Sequence, residues 1–284
     1  MKLASFLAEG MHSYGIVGER GLIDLRRRLG FPDLKAALAH QDRLDPSLAA
    51  AAVDYAFADV RLEAPLKNPT HIIGIGLNTK SHFEETATLM SRKPGDYPRF
   101  PRLFQRSPLS VVGHGEAIFV PRASEQLDYE GEIALIIGKP GRHVPESAAL
   151  DHIAGFSLAN DGSVRDFQMH SNQVTAGKNF HASGSIGPWI VTRQSIGDIA
   201  ALTFATRVNG ELRQRLTMDD LIFSFAKLIS YISTIFFLQP GDIILTGSPE
   251  GIGALRQSWL RPGDIVEIDS PQIGTLRNTV RAEE

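Results

Sequence analysis

The spacing of hydrophobic and polar positions changes near residue 66 and divides the chain into two parts. In the first part, apolar runs at residues 2–7, 14–17 and 22–25 are separated by glycines, a pattern typical of short strands. Two helices are predicted after them, one centred on residues 34–40 and one over residues 45–57 that opens with an acid and a proline. We therefore predict a small N-terminal α+β domain over residues 1–66.

The second part, residues 67–284, is richer in strands. Strands are predicted at residues 71–76, 117–120, 129–137, 155–159, 189–191, 242–246 and 265–268. One long helix is predicted after a capping pair of Thr217 and Asp220, because Phe225, Leu228 and Ile232 follow at helical spacing. Since helices do not alternate regularly with strands, the sequence predicts a β-rich α+β fold rather than a doubly wound sheet or an eight-fold barrel.

Composition narrows the classes of function. The 284 residues are 43% hydrophobic and 21% charged with a formal net charge of −3, so nothing favours nucleic acid as a partner. The absence of cysteine excludes disulfides, thiolate zinc sites and cysteine nucleophiles. The sequence has neither an apolar run of about 18 residues nor a secretory core. We expect a cytoplasmic protein with no membrane partner.

Common nucleotide and hydrolase motifs are missing. Gly74-Ile75-Gly76 follows a predicted strand, but Thr79 stands where a dinucleotide-binding motif has its third glycine. The sequence contains neither a G-x-x-x-x-G-K-[ST] phosphate loop nor a G-x-S-x-G nucleophile elbow. Nicotinamide, nucleotide and serine-hydrolase chemistry therefore lose support.

Acidic residues cluster at the start of a predicted strand that is apolar beyond them. Glu130 and Glu132 point to the same side, about 7 Å apart, because side chains alternate along a strand. Two carboxylates in a partly buried place repel, so they need a cation or a proton, and oxygen ligands suit Mg²⁺, Mn²⁺ or Ca²⁺ better than zinc. Asp161, in a turn after another apolar strand, is a candidate third ligand, although its spacing alone favours a turn or N-cap role.

A histidine and a lysine are further candidates whose pattern alone is ambiguous. His82 and Glu85 are three residues apart and are neighbours on one face of a helix. Because Lys80 and Glu84 lie beside them, ordinary statistics favour a solvated helix face. Lys178 lies in a predicted glycine-containing loop, and a surface position is the usual prediction for such a lysine.

A set of nine segments follows in a defined order with sensible spacing. They are G-L-N at 76–78, H-F-E-E at 82–85, L-D-Y-E-G-E at 127–132, N-D-G-S-V-R-D-F-Q at 160–168, G-K-N-F at 177–180, G-P-W at 187–189, L-Q-P-G-D-I-I-L-T-G-S-P-E-G-I-G at 238–253, P-G-D at 262–264 and I-G at 273–274. Each segment is weak alone, but the ordered set, over about residues 70–280, resembles the fumarylacetoacetate hydrolase family in its smaller microbial and acylpyruvase-like branch.

The resemblance implies a fold, an assembly and a metal centre. The larger part would be a mixed β-roll with flanking helices, behind the small N-terminal domain and in a homodimer. Glu130, Glu132 and Asp161 match the ligands of a divalent metal, Mg²⁺ or alternatively Mn²⁺ or Ca²⁺, which promotes Asp161 to a ligand. Lys178 matches a catalytic lysine that lies beside metal and substrate.

The resemblance also implies catalytic and substrate-binding groups. His82 matches a lid histidine that takes a proton from water, and Glu85 matches the carboxylate that orients it. The groups that would hold substrate oxygens are Gln168, Arg106 in the place of a family lysine, and the turn Thr246, Gly247 and Ser248. Arg165 and Asp166 are expected to form a structural ion pair beneath the site.

The implied activity is metal-dependent hydrolysis of a carbon–carbon bond in a 2,4-dioxo acid, such as an acylpyruvate or a fumarylacetoacetate-like compound of aromatic catabolism. The presence of both His82 and Glu85 favours this outcome. The same metal enolate would also serve a decarboxylase of 2-oxo dicarboxylic acids or an enol–keto isomerase. A non-catalytic metal-binding protein is the remote alternative.

Overall fold

The computed structural model describes residues 1–87 and 93–284. Within these residues the strands are β1 (Lys2–Ala8), β2 (Met11–Val17), β3 (Leu22–Asp24), β4 (Val60–Leu62), β5 (Ile72–Gly76), β6 (Arg102–Arg106), β7 (Val111–Val112), β8 (Ala117–Val120), β9 (Leu127–Asp128), β10 (Gly131–Ile137), β11 (Ile153–Asn160), β12 (Ser163–Val164), β13 (Gly184–Thr192), β14 (Thr203–Val208), β15 (Glu211–Thr217), β16 (Ile243–Leu245), β17 (Ile265–Ser270) and β18 (Gly274–Ala282). The helices are α1 (Leu25–Leu29), α2 (Leu34–Leu38), α3 (Lys80–Ala87), α4 (Glu146–Ala149), α5 (Arg165–Gln168), α6 (Thr175–Lys178), α7 (Arg193–Ile196) and α8 (Phe225–Ile235).

Most strands of the described residues join one mixed sheet of 11 strands, in the order β3-β2-β1-β13-β11-β10-β16-β5-β6, with β4 beside β1 and β7 beside β13. A five-stranded sheet has the order β15-β14-β17-β18-β8, and β9 pairs with β12. Parallel pairs, such as β16 with β5, stand among mainly antiparallel ones. The prediction of a sheet-rich α+β fold with flanking helices is confirmed.

The central strand β10 is covered on both faces. All of its residues are buried, and Ile133 and Leu135 pack into the hydrophobic cluster that includes α8. Ala134 and Ile136 point the other way, into the cluster that includes the α2 residue Leu34. A strand buried on both sides reads as a continuous apolar run, which explains why the sequence predicted it well.

The predicted helix over residues 45–57 is wrong. Asp45 caps only a short 3₁₀ helix, Pro46–Ala50, and Ala51 is already extended. Ala49, Ala50 and Ala52 are exposed and therefore do not face the core. Helix propensity without an apolar face to bury does not sustain a long helix.

The predicted capping pair of the long helix is also wrong, although its apolar residues are those expected. α8 begins at Phe225, and Ser224 caps it by accepting a hydrogen bond from the Lys227 amide. Thr217 instead ends β15. Asp220 accepts hydrogen bonds from the amide and the hydroxyl of Ser81, at the start of α3.

The N-terminal strands continue the large sheet. β1 pairs with β2 on one side and with β13 on the other, in the register Leu3 to Ile190. The domain boundary at residue 66 stays a prediction. Across residues 1–87 and 93–284, every helix is too short or too polar to cross a membrane.

Candidate active site

A cavity of 640 Å³ opens where β10 begins and β11 ends. Its polar wall contains most of the predicted site residues, namely His82, Glu130, Glu132, Asp161, Gln168, Lys178 and Ser248. Its apolar wall contains Ile75, Leu77, Phe104, Met169, Val174, Ile252 and Leu255. The charged residues Glu130, Glu132, Asp161, Arg165 and Lys178 form what we call the charged floor. The cavity therefore combines a charged floor with a hydrophobic wall, as small-molecule sites usually do.

Strand register brings the three predicted metal ligands together. Antiparallel pairing of β10 with β11 sets Glu132 opposite Ala159 and Gly131 opposite Asn160. The Asp161 amide then donates to the Glu130 carbonyl oxygen at 2.8 Å. Glu130, Glu132 and Asp161 thus share one end of the sheet. The distance of Asp161 from the two glutamates along the chain did not reveal this proximity.

Lys178 lies between two of these carboxylates. Its ammonium donates to Glu130 Oε2 and to Asp161 Oδ2, and also to the Asp161 carbonyl oxygen at 2.9 Å. The side chain is only 3% exposed, and its Nζ lies 5.0 Å from the centre of the Phe104 ring. Lys178 is consequently a buried member of the charged floor and not a surface lysine.

Arg165 is a second cation of the floor. Its guanidinium donates to Asp128 Oδ2 at 2.8 Å, to Glu130 Oε1 at 3.0 Å and to Gln168 Oε1 at 2.9 Å. Asp166 turns elsewhere and accepts from the Ser124 hydroxyl at 2.7 Å. The predicted Arg165–Asp166 pair is therefore wrong, because Arg165 reaches the acids of the neighbouring strands.

The charges of the floor shift the pKa values of its acids in opposite directions. Burial acts to raise the pKa of Glu130, but Arg165 and Lys178 outweigh it and hold that pKa far below its usual range. Burial raises the pKa of Asp128 despite Arg165. Burial, together with the charge of Asp161, raises the pKa of Glu132 well above its usual value. Lys178 and the Gly247 amide lower the pKa of Glu132, but they do not offset its burial and the charge of Asp161.

The turn after β16 supports Glu132. The Gly247 amide donates to Glu132 Oε2 at 2.7 Å, and Gly247 has a φ of 103°. A Cβ there would lie 2.7 Å from Asn78 Cβ, so glycine is required. Of the predicted substrate-binding turn, Ser248 lines the cavity, whereas the Thr246 hydroxyl donates to the Ile133 carbonyl oxygen.

Arg106 lies behind the cavity wall. Its fully buried side chain donates to Asp161 Oδ1 at 2.6 Å, to the Gly162 carbonyl oxygen at 2.9 Å and to Ser183 Oγ at 3.0 Å. The residues that line the cavity do not include it. In this structure, then, Arg106 orients Asp161, and its predicted contact with substrate stays a prediction.

His82 and Glu85 meet on α3, above the charged floor. His82 Nδ1 is 2.6 Å from Glu85 Oε1, and the other Glu85 oxygen accepts from the Gly251 amide at 2.9 Å. His82 Nε2 faces the floor, 4.0 Å from Glu130 Oε1. When Nδ1 donates to Glu85, Nε2 is left with a lone pair that accepts a proton, as a general base requires.

The donor set suits a hard divalent cation. Four carboxylates (Asp128, Glu130, Glu132 and Asp161) meet three cations (Arg106, Arg165 and Lys178) within the part of the chain that the structure describes. Glu132 receives a single hydrogen bond among the described residues, from Gly247, which leaves its other oxygen available. Carboxylate oxygens with excess negative charge are what Mg²⁺ and Mn²⁺ prefer.

Binding of a metal ion to these carboxylates would require Lys178 to move. Within residues 1–87 and 93–284, no three His, Asp or Glu side chains stand ready to hold a metal ion as they are placed. The ammonium of Lys178 lies against Glu130 and Asp161, so it would have to withdraw from one of them for a cation to bind both.

Arg102 and Asp220 were not among the predicted site residues. Arg102 lines the cavity from β6, and Asp220 anchors α3 through Ser81. For the first, local sequence gave little signal, because the residues R-L-F-Q-R at 102–106 do not alternate between apolar and polar. The second depends on a contact between distant segments, for which local sequence carries no signal.

Comparison with known proteins agrees with this architecture. A model of the fumarylacetoacetate (FAA) hydrolase C-terminal family matches residues 71–281. The oxaloacetate tautomerase YisK of Bacillus subtilis (strain 168) is 39% identical over 230 residues, which span 80% of this chain and 75% of that relative.

Solved structures agree over the whole of both chains. The fumarylacetoacetate hydrolase of Exiguobacterium antarcticum is 32% identical with a TM-score of 0.85. The maleylpyruvate hydrolase of Sphingobium sp. SYK-6, solved in complex with manganese(II) ion and pyruvate, is 26% identical with a TM-score of 0.82. The resemblance expected from the ordered segments is confirmed. The chain belongs to the fumarylacetoacetate hydrolase family of enzymes.

Proposed function

We propose that this protein catalyses keto–enol tautomerisation of a 2-oxo acid at a divalent metal held by Glu130, Glu132 and Asp161. The observation that carries the proposal is the buried His82–Glu85 pair, which can transfer a proton on a substrate carbon as well as on water and whose second ring nitrogen lies 4.0 Å from Glu130 Oε1. Tautomerisation moves a proton between the carbon next to the keto group and the keto oxygen, so it needs a proton-transfer group beside a charged floor. The relative named oxaloacetate tautomerase supports this outcome.

The residues of the cavity have distinct tasks in this proposal. Glu85 fixes the His82 ring, and Nε2 of His82 takes the proton from the substrate carbon and delivers it to the keto oxygen to give the enol, or transfers it in the reverse direction to give the keto form. Lys178 and Gln168 lie beside the charged floor, where their polar atoms would hold the carboxylate and keto oxygens of the substrate. The apolar wall, which includes Phe104 and Ile252, limits the access of water to the reacting carbon.

Bound to the three carboxylates, a divalent cation would stabilise the negative charge that develops on the keto oxygen during enolisation. The manganese ion in the related maleylpyruvate hydrolase supports a divalent metal of this kind. Gly247 and Arg106 would orient two of the ligands, Glu132 and Asp161.

Hydrolysis of a 2,4-dioxo acid is the second candidate, and it is the activity that the sequence led us to expect. Two observations favour it: the likeness to maleylpyruvate hydrolase and a cavity of 640 Å³, which leaves room for an acyl chain. In that reaction His82 would take its proton from the attacking water, and the carbon–carbon bond would break to give a 2-oxo acid and a carboxylic acid.

A metal-reconstitution assay tests the proposal. The purified protein would be stripped with a chelator and reloaded with Mn²⁺ or Mg²⁺, and the enol of oxaloacetate would be followed by its ultraviolet absorbance. Metal-dependent loss of the enol without CO₂ release supports tautomerisation. Pyruvate and acid from acylpyruvates would favour hydrolysis instead, and CO₂ from oxaloacetate would favour decarboxylation.

The variant His82→Asn separates catalysis from binding. We expect its kcat to fall by about 100-fold, because general acid–base groups contribute on this scale, while Mn²⁺ affinity stays unchanged. The matched control is His40→Asn, since His40 is exposed, stacks on Phe31 and does not line the cavity. Full activity of His82→Asn on every substrate would show that this histidine is not the base.

A further inference from the structure

Three side chains of β6 point towards the cavity side of that strand. Arg102, Phe104 and Arg106 alternate with Leu103 and Gln105, and their burial increases inwards: Arg102 is exposed, whereas Phe104 is 8% and Arg106 3% exposed. Arg106 contacts Asp161 on the floor, and Phe104 lies beside Lys178. Arg102 therefore stands at the outer end of a line that leads from solvent to the charged floor.

Arg102 differs from the other cations of the cavity wall. Arg165 and Lys178 are each paired with carboxylates, whereas Arg102 makes no ion pair with any described residue. Its Nη2 donates to the Asn172 carbonyl oxygen at 3.0 Å, in a neighbouring segment that also lines the cavity. Its aliphatic stem passes over Gly76, where a Cβ would lie 3.6 Å from Arg102 Cδ. The guanidinium is thus held in position, and no described residue accepts a hydrogen bond from its Nε or Nη1.

We propose that Arg102 binds a second carboxylate at the far end of the substrate, and that the enzyme consequently prefers 2-oxo dicarboxylic acids to 2-oxo monocarboxylic acids. A guanidinium fork matches a carboxylate in shape and charge, and a partner from the ligand would complete the one unpaired cation of the described wall. This inference rests on the proposed function, since it assumes that the other end of the acid lies at the charged floor.

The spacing of side chains along β6 also limits the length of the substrate acid that can bind. Positions two apart on a strand are separated by about 7 Å, so Phe104 spans the gap between Arg102 and the region of Arg106 and Asp161. The ring of Phe104 would pack against the carbon chain between the two carboxylates. Binding therefore depends on the charge at the far end and on chain length separately.

Matched pairs of acids test these two features. The Mn²⁺-loaded protein would be titrated by calorimetry with 2-oxoglutarate and 2-oxopentanoate, and with 2-oxoadipate and 2-oxohexanoate. Within each pair only the far carboxylate differs from a methyl group. We expect at least one dicarboxylate to bind about five- to tenfold more tightly than its partner, the range between a solvent-exposed and a sheltered charge-assisted hydrogen bond.

Variants then assign the preference to Arg102. Arg102→Met should abolish it by weakening the dicarboxylate alone, and Arg102→Lys should restore part of it, because lysine keeps the charge but loses the fork. Arg99→Met is the matched control, since Arg99 contacts Phe100 and does not line the cavity. Mn²⁺ affinity, measured separately, should be equal in all of these proteins.

The outcomes separate this inference from the function on which it rests. Equal binding within both pairs, or equal weakening of both acids by Arg102→Met, would overturn the role of Arg102 while leaving a 2-oxo acid enzyme intact. If the protein binds Mn²⁺ but none of the four acids, the proposed function fails and this inference fails with it.

Discussion

Individual charged side chains determine the net charge of the cavity floor. Lys178 neutralises part of Glu130 and Asp161, and Arg165 neutralises Glu130 from the other side. Glu132 receives a backbone hydrogen bond and no cation of its own among the described residues. At the residue scale, the floor is therefore held together by cations of the protein and is still one positive charge short.

Replacing Lys178 by methionine should destabilise the metal-free protein. The change leaves buried carboxylates without their ammonium, and breaking a buried pair costs about 3 kcal/mol or more. A divalent cation restores positive charge at the same place, so Mn²⁺ should recover more stability in Lys178→Met than in the unaltered protein. Urea unfolding with chelator and with Mn²⁺ measures both effects.

Lys227→Met is the control for that experiment. Lys227 pairs with Glu146 at 2.8 Å on the surface, where an ion pair contributes about 0.5 kcal/mol or less. A loss of stability in Lys178→Met that is small, or that Mn²⁺ leaves unchanged, would contradict the view that Lys178 and the metal share one place.

Metal binding should release a proton from Glu132. Its pKa is raised by burial and by Asp161, so in the metal-free protein this carboxyl holds its proton at a pH where an ordinary glutamate has lost it. The cation needs the deprotonated form, and metal affinity should therefore increase as the pH rises towards that raised pKa and level off above it. Calorimetry in two buffers of different protonation enthalpy counts the protons.

Glu132→Gln should bind Mn²⁺ more weakly and without proton release, because an amide has no carboxyl proton to displace. Glu116→Gln, at a surface acid paired with Arg61, should behave like the unaltered protein. Equal apparent heats in both buffers for the unaltered protein would contradict the assignment to Glu132.

The sequence predicted the chemistry of these residues better than their contacts. Glu130 and Glu132 were recognisable because acids ahead of an apolar strand are unusual, and they do line the cavity. Arg165 and Arg106 have partners that depend on which strands lie side by side. Their roles could not follow from local pattern, because strand order is a long-range property of the chain.

At the scale of elements, the short helix α3 carries His82 and Glu85, the proposed proton-transfer pair, and depends on neighbouring segments for its position. Its first turn is held by Asp220, which accepts from the Ser81 amide at 2.9 Å, and Glu85 is held by the Gly251 amide. A carboxylate at a helix N-terminus is also favoured by the helix dipole. The segment Met218–Asp220 thus holds the first turn of α3 in place.

Asp220→Ala should lower kcat about tenfold with little change in metal affinity. The substitution removes a cap, which costs about 1 kcal/mol, and lets His82 leave its position above the floor. Asp219→Ala is the matched control, because the contact of Asp219 with Lys80 uses the backbone carbonyl oxygen. A parallel fall in Mn²⁺ affinity, or the same kcat loss in the control, would show that Asp220 acts on the fold as a whole.

Element prediction succeeded where the apolar positions of an element are the ones that are buried, and it failed where polar residues occupy the buried positions. β10 and the apolar stripe of α8 were found because their residues contact the core. The hairpin of β14 and β15 was missed although Asn209-Gly210 joins the two strands, with φ values of 52° and 80°. That dipeptide is a strong hairpin signal, but the alternation around it is broken, because the polar Thr206 and Gln214 are buried and Leu212 is exposed.

At the scale of the whole molecule, the large sheet runs through the predicted domain boundary. β1 lies between β2 and β13, and β13 is next to β11, whose end bears Asp161. Composition and proline positions indicated a separate N-terminal unit, because the hydrogen bonds that join β1 to β13 leave no trace in either segment alone. The first 66 residues should therefore unfold together with the active site.

The variant Phe6→Ala tests whether the first 66 residues unfold together with the active site. Phe6 is fully buried in β1 and meets the Tyr55 ring at 5.8 Å, so its truncation should cost about 3–4 kcal/mol. In a Trp259→Phe background, Trp189 of β13 is the single tryptophan and reports on the junction. Circular dichroism, Trp189 fluorescence and Mn²⁺-dependent activity should all be lost at one lowered urea midpoint. If Phe6→Ala produced an earlier transition by circular dichroism that left the Mn²⁺-dependent activity intact, the N-terminal residues would form an independent unit and the boundary at residue 66 would be real.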